Sequence, residues 1–304
     1  VRDLWAAFWR FWNRIGIEYG TRYADFGSRT IVPPNQRKPP FWRECQPLFQ
    51  IKFSAFHGND ENYMAYFKAI NDYGLTWIHG YPSCIMPFAS FVAQNGLTFD
   101  KPIKAVTASA ENLYGYQRSI IEKAFGVQPH ALYGLTEAVA CIGEDADHDY
   151  IVDEDYSAVE FIECGDYSRI VGSNLTNFAF PLLRYDTGDL AITTDRLKNG
   201  RRVIERIDGR TGELLSLPDG GKVGALSALF TESATIKEAQ IHQLEDYSVE
   251  ISFVPLSDTY TEDIEAEKRF RDRTKGMLPV SFKRVDGIER TKRGKLRYVV
   301  SDIK

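Results

Sequence analysis

Trp5, Phe8, Trp9 and Trp12 fall at i, i+3, i+4 and i+7, the spacing of one helical face, and predict a core-facing amphipathic helix. Its polar face is not strongly basic, which argues against a membrane-surface helix. Farther on, two helical patterns between Asn62 and about Gly96 flank residues 76–80, which read as a short buried strand. Residues 103–107 predict another strand. From Tyr114 to Phe125 the apolar positions Tyr116, Ile120, Ile121, Ala124 and Phe125 form a helical stripe, closed by Gly126 as a C-cap. Residues 127–133 return as a strand. Strand, helix and strand in close alternation imply parallel pairing in an α/β sheet.

The texture changes after about Arg210. Residues 212–217 and 247–254 alternate like strands with one wet face. A charged helix is predicted between Thr259 and Met277, opened by Thr259 and Glu262 at capping-box spacing, and residues 297–300 read as a last strand. The expected organisation is a large α/β domain over residues 1–209 and a small α+β domain over 210–304.

Composition narrows the class. A chain of 304 residues, 43% hydrophobic and 26% charged, is long enough to bury a substantial core. A net charge of -5 gives no reason to expect nucleic acid or an anionic membrane as partner. Cys45, Cys84, Cys141 and Cys164 are widely spaced without a CxxC pair, the pattern of reduced thiols rather than a disulfide framework or zinc site. No apolar run approaches the roughly 20 residues that span a bilayer. A cytoplasmic location is expected.

Four segments carry candidate chemistry. Tyr133-Gly134-Leu135-Thr136-Glu137 stands at a predicted strand end, where open α/β sheets place their ligands. An aromatic ring there can stack on a flat base, and a hydroxyl and a carboxylate can meet a phosphate and its Mg²⁺, which takes one or two carboxylates plus phosphate oxygens. Arg184-Tyr185-Asp186-Thr187-Gly188-Asp189-Leu190 places a carboxylate after a Gly turn, suited to two vicinal hydroxyls such as those of a ribose; a charged β-turn is the plainer reading. Gly209-Arg210 sits at the change of texture. Lys292-Arg293-Gly294-Lys295, read alone, is a solvated basic loop. Residues 144–149 carry metal-ligand types but read as a solvated loop, and His79, His130 and His242 read as satisfied structural residues. No Ser or Cys has a nucleophile-elbow context.

In this order and at these separations the four segments resemble the ANL superfamily of adenylate-forming enzymes. The nearest resemblance is to the phenylacetate-CoA ligase branch and its CapK-type, capsule-linked subgroup, through Phe41-Trp42-Arg43, residues 53–57, Gly80-Tyr81-Pro82-Ser83 and Gln117-Arg118. The resemblance spans nearly the whole chain. It implies a small-molecule carboxylic acid, ATP, Mg²⁺ and coenzyme A as substrates and cofactors. Tyr133 would stack on adenine with Gly134 beside it, Thr136 would lie near the α-phosphate, and Glu137 would hold the metal. Asp189 would bind the ribose, helped by Arg210 at a hinge near 209–213. Ser109, Ala110 and Glu111 would line the adenine and carboxylate. Phe56 and His57 would gate an acyl pocket, with Tyr81 also binding substrate, and Lys295 would act from a mobile C-terminal domain. A homodimer is expected by analogy.

Two departures stand out. The acidic residue that the family places two positions after the hinge arginine is here Gly212, with Glu213 next, and Arg206-Ile207-Asp208 offers a second register. The family's Ser/Thr/Gly-rich phosphate loop ending in Lys does not occur, and the sequence opens on Val1; the expectation is a chain that begins just after that loop. Carboxylate activation followed by transfer to CoA is the expected function. A non-catalytic nucleotide-binding or scaffold relative in polysaccharide biosynthesis, or an adenylyltransferase without the CoA step, is the alternative.

Overall fold

The structure, a computed structural model, describes residues 2–27, 30–210, 214–223, 229, 236–255, 264–290 and 296–303. The predicted capping box at Thr259 and Glu262, together with Glu213 and Lys295, lies outside them.

The aromatic opening is helix α1 (Arg2–Arg14). Its most buried side chains are Ala7, Phe11 and Trp12, so the burial peak lies slightly round from the predicted stripe, with Trp5, Phe8 and Trp9 half-buried beside it. Strands β1 (Tyr23–Phe26), β2 (Trp42–Cys45) and β3 (Gln50–Phe53) follow, then α2 (Asp60–Asp72), β4 (Trp77–Gly80), α3 (Pro82–Gln94), β5 (Ala105–Ser109), α4 (Gly115–Phe125) and β6 (Pro129–Gly134). Helix starts and stops use the expected chemistry. The Asn59 side chain accepts from the Asn62 N–H at 3.0 Å, Pro82 opens α3, and Gly126 ends α4 at φ 75°.

Among the described residues β3, β1, β4, β5 and β6 pair in parallel in that order, with β2 antiparallel on the outer edge. Period-2 alternation splits their side chains between two layers. Tyr23, Trp77 and Leu132 pack under α1, while Ala24, Ile78 and Val106 pack against α2, α3 and α4. Gly80 cannot carry a side chain: at φ 155° a Cβ there would lie 2.5 Å from the Phe26 carbonyl oxygen.

Past β6 the sheet turns antiparallel, through β7 (Cys141–Glu144), β8 (Tyr150–Val152), β9 (Ser157–Cys164), β10 (Tyr167–Asn174), β11 (Tyr185–Lys198) and β12 (Arg201–Arg210), in the spatial order β7-β8-β12-β11-β10-β9. Gly172 lets β10 approach the turn after β6, since a Cβ there would sit 2.0 Å from the Val139 carbonyl oxygen. Gly209 and Arg210, read from sequence as hinge residues, are the last two residues of β12, where Arg210 is in register with Asp189.

A short hairpin of β13 (Leu215–Ser216) and β14 (Lys222–Val223) precedes a four-stranded sheet. That sheet contains β15 (Ile236–Gln243), β16 (Val249–Pro255), β17 (Val280–Arg284) and β18 (Val299–Ser301), ordered β17-β16-β15-β18, and is covered by α5 (Ile264–Arg273). Its core of Ile241, Ile251 and Phe270 is continuous with that of the large sheet's helices, and the Tyr114 and Tyr298 rings meet at 4.3 Å.

Candidate functional site

Parallel strands leave their carboxyl ends along one edge, and the predicted site residues follow those ends strand by strand. Phe56 and His57 come after β3, Tyr81 after β4, Ser109 to Glu111 at the end of β5, and Tyr133 to Glu137 at the end of β6. Asp189 arrives from the antiparallel half on β11.

Tyr133 leans its ring on the apolar cluster of Ile142, Ile170 and Ala191, and its hydroxyl donates to Asp189 Oδ2 at 2.6 Å. The Asp189 N–H donates to Thr187 Oγ1 at 3.0 Å, whose hydroxyl donates onward to the Ile170 carbonyl at 2.8 Å. Two motifs 56 residues apart thus share one bond. Gly134 and Thr136 are exposed and Glu137 is half-buried. Asn174, absent from the sequence reading, ties this turn down: its amide donates to the Glu137 carbonyl at 3.2 Å and the Phe180 carbonyl at 3.1 Å, and its oxygen accepts from Leu182 N–H at 3.3 Å. A lone Asn after a strand carries no recognisable signal.

Across β5, Ser109 is in register with Leu132, the neighbour of Tyr133. Ala110 takes φ 66°, and the Glu111 carboxylate accepts from both the Ser83 N–H, at 3.0 Å, and the Ser83 hydroxyl, at 2.9 Å.

Beside this edge lies a cavity of about 710 Å³. Phe26, Phe56, Tyr63 and Tyr66 supply rings, Ser83 and Cys84 come from α3, and Lys237, Glu238 and Arg290 come from the C-terminal part of the chain. Arg290 Nη2 meets Glu238 Oε1 at 2.5 Å. Burial pushes the Cys84 thiol up to about 12, and the nearby Glu111 carboxylate adds in the same direction, so the thiol stays neutral. His57 is not among the lining residues: it is buried, stacks on Phe41 at 4.6 Å, and its ring nitrogens meet Ser54 Oγ at 2.9 Å and the Gln36 carbonyl at 3.2 Å. Tyr81 also stands outside the lining, as the residue that precedes α3.

The histidines divide. His79 Nδ1 meets Thr107 Oγ1 at 2.8 Å and His242 Nε2 meets Asp302 at 2.9 Å, both satisfied as expected. His130 is less completely satisfied: its Nδ1 is buried without a hydrogen-bond partner, and its ring stacks on His148 at 4.3 Å. Glu144 joins this group, bound by Arg118, by Ala131 N–H at 3.1 Å and by His148 at 3.1 Å; one donor atom from each of His130, Glu144 and His148 lies within 4.8 Å of the others. Residues 144–149 are therefore a charge network rather than a freely solvated loop. Among the described residues no helix is long and apolar enough to cross a membrane.

No family model matches the chain. Its fold resembles a 2-hydroxyisobutyryl-CoA ligase solved in the postadenylation state with an acyl-AMP, at TM-score 0.68 and 16% identity over 99% of this chain and 69% of that one. An anthranilate CoA ligase in complex with anthranoyl-AMP gives 0.65 at 12% identity, over 97% of this chain and 61% of that one. The fold is that of these acid–CoA ligases. In sequence the chain is similar to Protein CapK of Staphylococcus aureus, 28% identical over 97% of this chain and 68% of that protein. A shorter stretch of 130 residues is 34% identical to an indoleacetate–lysine synthetase of Pseudomonas savastanoi, over 42% of this chain and 32% of that protein.

Proposed function

We propose that the protein activates a carboxylic acid with ATP, releasing pyrophosphate, and passes the acyl group from the acyl-adenylate to coenzyme A. The observation that carries this reading is the Tyr133–Asp189 contact at a sheet edge. It sets an aromatic face and a carboxylate with two acceptor oxygens side by side, the pair that a purine and its ribose diol require. Tyr133 then stacks on adenine with Gly134 leaving the ring open, Asp189 takes the ribose hydroxyls with Arg210 nearby, and Thr136 faces the α-phosphate. Carboxylate and hydroxyl oxygens are the hard donors that Mg²⁺ accepts, so Glu137, with Thr136, suits the metal, which supplies charge neutralisation at the phosphates. Ser109 and Ala110 border the base, and Phe56 closes the cavity over the acid, with His57 and Tyr81 shaping the wall behind it. Four aromatic side chains in that cavity favour an aryl or arylacetic acid.

We assign residues 1–209 to nucleotide and acid binding and residues 210–304 to a lid that carries Lys295. The Lys295 ammonium would stabilise the charge that builds as the carboxylate attacks the α-phosphorus. A second reading changes only the acceptor: the indoleacetate–lysine synthetase relative supports an amine in place of the CoA thiol.

The test is pyrophosphate release by the full-length protein against a panel of aryl carboxylates, with and without CoA, alongside AMP binding by calorimetry. Asp189→Ala is expected to weaken AMP binding about tenfold or more, the worth of a hydrogen bond to a charged group. AMP affinity untouched by Asp189→Ala, with no pyrophosphate from any acid, would leave the non-catalytic alternative standing.

A further inference from the structure

Glu111, expected beside the nucleotide, also makes a contact that its motif did not announce: its carboxylate accepts the Ser83 backbone N–H through Oε2 and the Ser83 hydroxyl through Oε1. Ser83 is the second residue of α3, one of the positions whose N–H has no partner inside the helix. The preceding Tyr81 gives α3 no side-chain cap, so a carboxylate from a loop 28 residues away does what a local Asp or Ser would otherwise do. The residue before Glu111 holds an unusual backbone: Ala110 sits in the left-handed region at φ 66°, which a non-glycine keeps only where its neighbours fix it. Ser83 itself is buried and lines the cavity together with Cys84.

We propose that Glu111 and Ser83 form a positioning clamp that fixes the 109–111 loop of the nucleotide site to the wall of the acid cavity, so that ordering at one site strengthens binding at the other. The proposal rests on the acid-activating reading of the same edge. Glu111 and Ser83 are positioning residues, acting through the loop and through α3. Any ligand that seats against Ser83 orders the loop for the nucleotide, and the nucleotide returns the same factor to the acid, because binding coupling is reciprocal.

The experiment uses the full-length protein with AMP as probe, and reads hydrogen exchange at the amides of residues 109–111 together with AMP affinity. Ser83→Ala removes one of the two donors. It should speed exchange in the loop and weaken AMP binding about tenfold. Ser83→Thr, which keeps the hydroxyl, should stay within about twofold of the parent on both readouts, as a merely volumetric role would not predict. In pyrophosphate exchange with any acid found active, Ser83→Ala should raise KM for both ATP and acid more than it lowers kcat. Unchanged loop exchange in Ser83→Ala overturns the clamp. Faster loop exchange with no AMP binding by the parent protein supports the clamp and overturns the nucleotide reading instead.

Discussion

The two halves of the large sheet are held by different balances of apolar burial and charge. In the parallel half, β1 and β4 to β6 are sandwiched between helices, and much of the contact is apolar: Ile78, Val106, Ile85, Phe88 and Ile121 are all fully or almost fully buried. In the antiparallel half a smaller apolar layer that includes Ile142, Ile170 and Ala191 is reinforced by ion pairs between strands and loops. Asp153, with no exposed side-chain surface, is shared by Arg14 at 2.8 Å, Arg201 at 2.7 Å and Arg10 at 3.4 Å. Glu144 pairs with Arg118 and is hydrogen-bonded to His148. The parallel half gains its stiffness from burial and therefore supplies the edge from which most site loops hang. The antiparallel half brings Asp189 to that edge, with α1 locked on by charge through Arg10 and Arg14.

The sharpest way to break this contrast is Asp153→Ala. Removing one buried member of an ionic cluster leaves the partner charges uncompensated, a loss of about 3 to 5 kcal/mol. Urea unfolding should show it, and added salt should recover part of the loss by screening the abandoned guanidinium groups. Ile78→Ala in the parallel half should cost about 3 kcal/mol through lost burial and the cavity left behind. Its deficit should hardly move with salt in the screening range. Equal salt responses of the two variants would mean that the halves do not differ in kind.

Periodicity made β4 to β6 and the helices between them legible, while β1 to β3 went unread. Residues 60–134 alternate helix and strand with caps where Asn59, Pro82 and Gly126 stand, and short-range rules suffice for such units. The resemblance implied that Tyr133 and Asp189 hold a common nucleotide, but nothing in either motif showed that they touch; that depends on Asp189 reaching β6's edge from β11, which lies beyond β7, β8 and β12 in the sheet. Asn174, the Glu111–Ser83 bond and the His130 stack were out of reach for the same reason, since each joins residues that only tertiary packing brings together. His57 shows the opposite failure. Its motif neighbours pointed to the cavity, yet a 3-10 turn over Ala55–His57 leaves Phe56 exposed and turns the imidazole inward onto Phe41.

Acid titration offers the mildest test of the contrast, at Glu144. Burial alone would raise this carboxyl, but the hydrogen bonds from His148 and Arg118 outweigh it and hold the group below its ordinary value of 4.5. A carboxyl depressed in the folded state contributes stability above its unfolded value and loses that contribution as pH falls through the folded value. Glu144→Gln keeps the shape and removes the charge, so at pH 7 it should cost about 1 to 3 kcal/mol through the weakened Arg118 contact. Below about pH 4.5 the gap between variant and parent should narrow steadily, as the parent protonates the same group. Ile78→Ala, followed over the same range, should keep a nearly constant deficit, because no proton accompanies the loss of burial. A Glu144→Gln deficit that stays flat from pH 7 to pH 3 would show that the carboxylate's charge is not what fastens β7 to α4. The antiparallel half would then owe its cohesion to burial as the parallel half does.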